Sequence, residues 1–145
     1  MARVVLVTGG AAGLGLATVE RFLNKGYRVV SADKAAGRRD DRATVVACDV
    51  TREDHVANAR DVADALGGAS VVVNCAGIGL AQRMLSSKNC SPHSLDDFSR
   101  VLAVNAAGTF NVVRLAAERM ARRQPDDDDD GARGVFVNTA SLAAY

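Results

Sequence analysis

The chain has 145 residues, with 18 Lys+Arg against 17 Asp+Glu, 48% apolar and 4% aromatic residues, and a formal net charge of +1. A chain of this size is expected to form one domain, able to remove about 68–70% of its unfolded surface from water. The balanced charge gives no basis for a nucleic-acid or membrane partner, and no apolar run reaches the ~18 residues that span a bilayer, so a soluble protein is expected.

Residues 3–8 form a short β-branched run ended by Gly9-Gly10, the pattern of a parallel strand buried on both faces. Residues 13–25 turn helical, with Leu16, Val19, Phe22 and Leu23 on one face and Gly26 just beyond the end. Residues 27–32 read as the second strand with Asp33 at its carboxyl end, 34–42 as a polar loop, and 44–48 as the third strand. Thr51 is expected to cap a helix that places Val56, Ala59, Ala63 and Leu66 on one face and ends at Gly67-Gly68.

Residues 69–74 read as the fourth strand and 77–92 as a long loop. Ser94-x-x-Asp97 opens a helix reaching about residue 122. Its apolar residues, Phe98, Leu102 and Phe110 among them, surround the axis and predict cover on nearly all sides. A polar link follows, with Pro125 and the run Asp126–Asp130, read as a self-repelling solvated tip without the spacing of a cation loop. Residues 135–138 form the fifth strand. The order β-α-β-β-α-β-α-β predicts an α/β fold, a doubly wound parallel sheet in the order 3-2-1-4-5 with right-handed crossovers.

Cys48, Cys75 and Cys90 are an odd set without C-x-x-C or Cys/His ligand spacing, so neither a disulfide framework nor a metal site is expected. A strand beginning at residue 3 leaves no room for a signal or transit segment before it. The expected setting is intracellular, in the cytoplasm, with the mitochondrial matrix as the alternative. His55 and His93 read as surface residues, and Cys90 as an ordinary loop thiol.

The strongest chemical signal is Thr8-Gly9-Gly10-Ala11-Ala12-Gly13-Leu14-Gly15, between the first strand and the first helix. Glycine permits a tight turn and close approach of backbone to a pyrophosphate, and the helix N-terminus offers free N–H groups and about half a positive charge. No Gly-Lys-Ser/Thr ending supplies the lysine and hydroxyl of a nucleoside-triphosphate loop. A glycine-rich turn alone can be structural. Asp33 adds a carboxylate 18 residues after Gly15, where it can accept hydrogen bonds from ribose hydroxyls. The pair favours a dinucleotide, and a carboxylate that repels a 2′-phosphate favours NAD over NADP. Lys34, Arg38 and Arg39 follow closely, either as solvated loop charges or as phosphate contacts.

Thr8–Gly15, Cys48-Asp49-Val50, Asn74-Cys75-Ala76-Gly77, Asn105 and Asn138-Thr139-Ala140-Ser141 together resemble the short-chain dehydrogenase/reductase family over the whole chain. Within it the sequence is most similar to the branch acting on 3-hydroxyacyl-CoA and hydroxysteroid alcohols. The resemblance implies a Rossmann-like domain over residues 1–145, incomplete because it stops before the family's last strands. It assigns the pyrophosphate to Gly9, Gly13, Leu14 and Gly15, the ribose to Asp33, the adenine to Asp49 and Val50, and the cofactor floor to Asn74, Ala76 and Gly77. Asn105 would orient a water in the proton relay and Ser141 would bind the substrate carbonyl. Ala12, where NADP-preferring relatives often carry a base, agrees with NAD.

The implied chemistry is hydride transfer between NAD and a secondary alcohol or ketone, with a small-molecule acyl-CoA or steroid-like substrate and a homo-oligomer when complete. The family's base is a Tyr, with an ordinary pKa of about 10, assisted by a Lys four residues on. Tyr145 lies only four residues after Ser141 and reads as a loop aromatic. The chain is therefore expected to be inactive alone. The alternative is a non-catalytic NAD(H)-binding or oligomerisation module.

Overall fold

A computed structural model describes residues 3–35, 40–124 and 131–142. Its elements are β1 (Val4–Thr8), α1 (Gly13–Asn24), β2 (Arg28–Asp33), β3 (Thr44–Ala47), α2 (Glu53–Ala65), β4 (Ala69–Asn74), α3 (Leu95–Leu102), a π-helical turn (Ala103–Gly108), α4 (Thr109–Ala121) and β5 (Val135–Asn138). The five strands make one sheet in the order β3-β2-β1-β4-β5, parallel at every pairing. The expected order 3-2-1-4-5 is therefore observed.

Side-chain alternation along β1 explains its continuous apolar run. Val5 and Val7 point to one face, where they pack with Val19 of α1, Val29 and Val73. Val4 and Leu6 point to the other, where they meet Val56 and Ala59 of α2 and Val112 and Leu115 of α4. A central strand clothed on both sides has no solvent face to mark with polar residues. Register brings Thr8 opposite Ala32 and Asn74, Asp33 opposite Ala47, and Asn74 opposite Asn138. The residues beyond the carboxyl ends of the strands thus gather along one edge of the sheet.

Three local expectations are corrected. Arg52, not Thr51, stands at the α2 N-cap and makes no side-chain cap bond. Thr51 instead donates its hydroxyl and its N–H to Asp49 Oδ1, at 2.7 and 3.0 Å. The first turn of α2 is served by Glu53 and Asp54, whose charges oppose the helix dipole. The long helix is not covered all round: Phe98 is 52% and Phe110 66% exposed, with Leu95 and Leu102 also on the surface. Its middle is a π turn, which apolar spacing does not announce, since it changes the hydrogen-bond register and leaves the residue types alone. His55 and His93 are half-buried, not surface residues, and the Nδ1 of His55 accepts from the Asp49 N–H at 3.2 Å. Pro125, Asp126–Asp130, Arg38, Arg39 and Tyr145 lie outside the described residues.

Candidate functional site

A cavity of about 670 Å³ opens at the carboxyl edge of the sheet. That size is within the range of small-ligand and cofactor sites. Its walls include Gly9, Gly13, Leu14 and Gly15 after β1, Asp33 and Lys34 after β2, and Asp49 and Val50 after β3. Ala76, Gly77 and Ile78 follow β4, while Arg100, Ala103 and Val104 come from α3 and the π turn. Nine of the ten residues expected to hold a cofactor therefore line one cavity.

The glycine loop is shaped by close approach. A Cβ on Gly15 would strike the Gly9 carbonyl oxygen, so α1 can start directly against the loop only with glycine there. Gly13, at φ +52°, has open space where its Cβ would project. Ala12 caps α1 with no side-chain acceptor, and the first turn carries no acid. The first turn of α1 thus brings no acid of its own to the positive helix end, whereas α2 supplies its own acids.

Asp33 braces this loop from β2. Its Oδ2 accepts from the Ala11 N–H at 3.0 Å and its Oδ1 from the Ala35 N–H at 2.8 Å. Each carboxylate oxygen retains acceptor capacity. Beyond the neighbouring strand β3, the hydrogen bond from the Thr51 hydroxyl, joined by Lys34, holds the Asp49 carboxyl down at about 2. The Lys34 ammonium lies 3.1 Å from Asp49 Oδ2. Burial pushes the neighbouring Cys48 thiol up to about 11, which keeps it protonated.

Arg100 completes the wall, and Asn111 holds the turn that brings Val50 to it. Asn111 is buried on α4 and donates Nδ2 to the Val50 carbonyl at 3.0 Å, fixing the turn after β3. Arg100 lines the cavity from α3 and donates to Asp97 Oδ1 at 3.0 Å. An uncharged amide and an exposed helix arginine are common surface residues, and only the fold brings them to this edge.

Asn74 is not in the cavity wall. It is buried between strands, accepting from the Thr8 hydroxyl at 3.3 Å and donating Nδ2 to Asn138 Oδ1 at 2.9 Å. The Thr8 hydroxyl in turn accepts from the Ala76 N–H at 3.3 Å. Asn74 is therefore held within the sheet and linked through Thr8 to the Ala76 N–H.

Asn105 sits on the π turn with its side-chain amide against the Ile78 backbone. Ser141 lies three residues beyond β5, exposed and outside the cavity lining. The structure brings Asn105 to the loop after β4, and it leaves Ser141 on the β5 side of the same sheet edge.

A parallel sheet with ligand-sized space beyond its strands, a glycine loop opening a helix, and a carboxylate at the end of the second strand define a Rossmann-type dinucleotide fold. The chain belongs to the short-chain dehydrogenase family, whose model matches residues 3–145. It is 43% identical over 150 residues to the 3-hydroxyacyl-CoA dehydrogenase type-2 of Homo sapiens, and equally to that of Bos taurus. Each alignment covers 98% of this chain and 57% of the relative, so the chain spans little more than half the length of those proteins. A solved 3-hydroxyacyl-CoA dehydrogenase type-2 from Mycobacterium avium superposes with a TM-score of 0.86 at 37% identity, over 99% of this chain and 58% of that one. The ligand-free aldohexose dehydrogenase of Thermoplasma acidophilum gives 0.80 at 28% identity, over 99% and 51%.

Proposed function

We propose that the cavity binds NAD and serves hydride transfer between that cofactor and a secondary alcohol or ketone, with a 3-hydroxyacyl-CoA or hydroxysteroid-like substrate. The observation that carries this reading is Asp33, a carboxylate facing the same cavity as the N-terminus of α1, whose first turn carries no acid. The helix end suits a pyrophosphate, and the carboxylate suits ribose hydroxyls while repelling a 2′-phosphate. The residues fit the cofactor: Gly13 leaves space at the helix end, Asp33 retains acceptor capacity, and Val50 and Val104 offer apolar walls for an adenine near Asp49.

Bound NAD would supply the hydride acceptor. The chain's own residues bind and orient. Gly9, Gly13, Leu14 and Gly15 hold the phosphate end, Asp33 the ribose, and Ala76 and Gly77 the inner floor. Asn105 fixes the loop after β4 and orients a relay water, and Ser141 hydrogen-bonds the substrate carbonyl. The 3-hydroxyacyl-CoA dehydrogenase type-2 relatives support the substrate class. No Tyr is followed four residues later by Lys within these 145 residues, so we expect no turnover from them by themselves.

The exposed Phe98, Leu102 and Phe110 support a homo-oligomer formed through this helical face. An intracellular, reducing setting is supported by the unpaired thiols of Cys48, Cys75 and Cys90.

Fluorescence titration with NADH tests the cofactor assignment. The wild-type chain is expected to bind saturably, and Asp33→Ala to bind about tenfold or more weakly, because a charged hydrogen-bond acceptor is lost. Unchanged affinity would remove Asp33 from the ribose site.

A further inference from the structure

We propose that Asp49 is a positioning residue for dinucleotide choice: by engaging the Lys34 ammonium at 3.1 Å, it withholds that cation from a ribose 2′-phosphate and so favours NAD over NADP. The inference rests on the cofactor reading above.

Asp33 and Lys34 are adjacent at the end of β2 and line the same cavity. The carboxylate opposes a 2′-phosphate, but a lysine next to it on a flexible four-carbon stem is the group that could offset that repulsion. Lys34 is 79% exposed along its side chain, so packing does not hold it. Asp49 does, from the end of β3.

Asp49 is itself fixed for this task. Its Oδ1 accepts from both the hydroxyl and the N–H of Thr51, its own N–H donates to His55 Nδ1, and Oδ2 meets Lys34. A carboxylate so bonded stays ionised throughout the physiological range. Arg100, the other cation in the described wall, is engaged by Asp97 in the same manner. Each positive charge facing the cavity among the described residues thus has a carboxylate partner, while Asp33 accepts from the backbone N–H groups of Ala11 and Ala35.

The Lys34–Asp49 pair is open to solvent, so its release shifts the preference several-fold and does not reverse it. The test is the ratio of NADPH to NADH affinity, read by fluorescence titration of the wild-type chain, Asp49→Asn and Asp49→Asn/Lys34→Ala. Asparagine keeps an acceptor for Thr51 while losing the charge that holds Lys34. The ratio is expected to rise about three- to fivefold in Asp49→Asn and to return to the wild-type value in the double variant. Asp49→Ser reads the same ratio should the asparagine variant not fold.

Loss of affinity for both dinucleotides by the same factor leaves the ratio unchanged and overturns the proposal. A ratio that stays raised in the double variant assigns the phosphate contact to another cation and overturns it as well. A wild-type chain that binds neither dinucleotide overturns the cofactor reading and this inference together. Binding of NADH with an unchanged ratio overturns this inference alone.

Discussion

Asn105 bonds both backbone groups of Ile78: its Oδ1 accepts from the Ile78 N–H at 2.9 Å, and its Nδ2 donates to the Ile78 carbonyl at 2.8 Å. The helix that carries Asn105 is thereby tied to the loop leaving β4, and Ile78 lines the cavity at that junction. A side-chain amide has one donor group and one acceptor group, and here both are directed at a single residue's backbone.

Breaking that grip has a residue-specific signature. In Asn105→Ala the Ile78 amide is expected to exchange with solvent about fivefold faster, the effect of losing roughly 1 kcal/mol of hydrogen bonding. Asn105→Asp keeps the acceptor for the Ile78 N–H and is expected to retain most of its protection. Amide hydrogen exchange resolved at Ile78 checks both. Equal protection in wild type and Asn105→Ala would mean that the loop holds itself.

Gly15 presents a steric case. Its hypothetical Cβ meets the Gly9 carbonyl, a backbone atom that cannot rotate aside. Gly15→Ala is expected to destabilise the chain by about 1–3 kcal/mol, the usual cost of overpacking. Gly26→Ala, at φ +81° with open space around its Cβ, separates conformational strain from collision. Urea unfolding at matched conditions reads the two costs, and the α1 start is expected to be disturbed by the first alone.

The buried amide of Asn74 depends on Asn138 for an acceptor. Asn138→Ala leaves Asn74 Nδ2 without that partner and is expected to cost about 1–3 kcal/mol. Asn138→Asp restores an oxygen at the same place and is expected to recover much of the loss. Chemical denaturation distinguishes them, and equal stability of all three proteins would show that the Asn74–Asn138 hydrogen bond contributes nothing.

Acid dependence follows from Asp49. Its carboxyl is lowered from 3.8 to about 2 in the folded chain, first by the Thr51 hydroxyl. A depressed folded value means that the stabilisation is fully present above the unfolded value and is lost as pH falls through the folded one. The stability difference between wild type and Asp49→Asn is therefore expected to hold near pH 6 and to shrink between about pH 4 and 2, by about 1 kcal/mol once solvent screening of this open group is allowed for. A difference independent of pH across that window would mean that the Thr51 and Lys34 contacts do not favour the ionised form.

Legibility in the sequence tracked how local each feature is. β1 announces itself because both of its faces are buried, so every residue from Val4 to Thr8 had to be compatible with the interior. The glycine loop was readable because backbone approach restricts residue type at Gly9 and Gly15. The partners of Asn74, Thr8 and Asn138, were not readable, because they come from strands that meet it only through the sheet register. The exposed Phe98 and Phe110 read as core because apolarity signals something to be covered without saying by what. Arg100 was silent for the complementary reason, since its meaning depends on what the fold sets beside it.

The central claim is that the cavity at the carboxyl edge of the sheet receives the dinucleotide. Titration of the isotopically labelled chain with NAD, followed amide by amide in NMR spectra, addresses it most directly. The account predicts saturable shifts concentrated at Ala11, Gly13, Leu14, Gly15, Val50 and Ile78. Shifts confined to other parts of the chain, or none at saturating NAD, would contradict it.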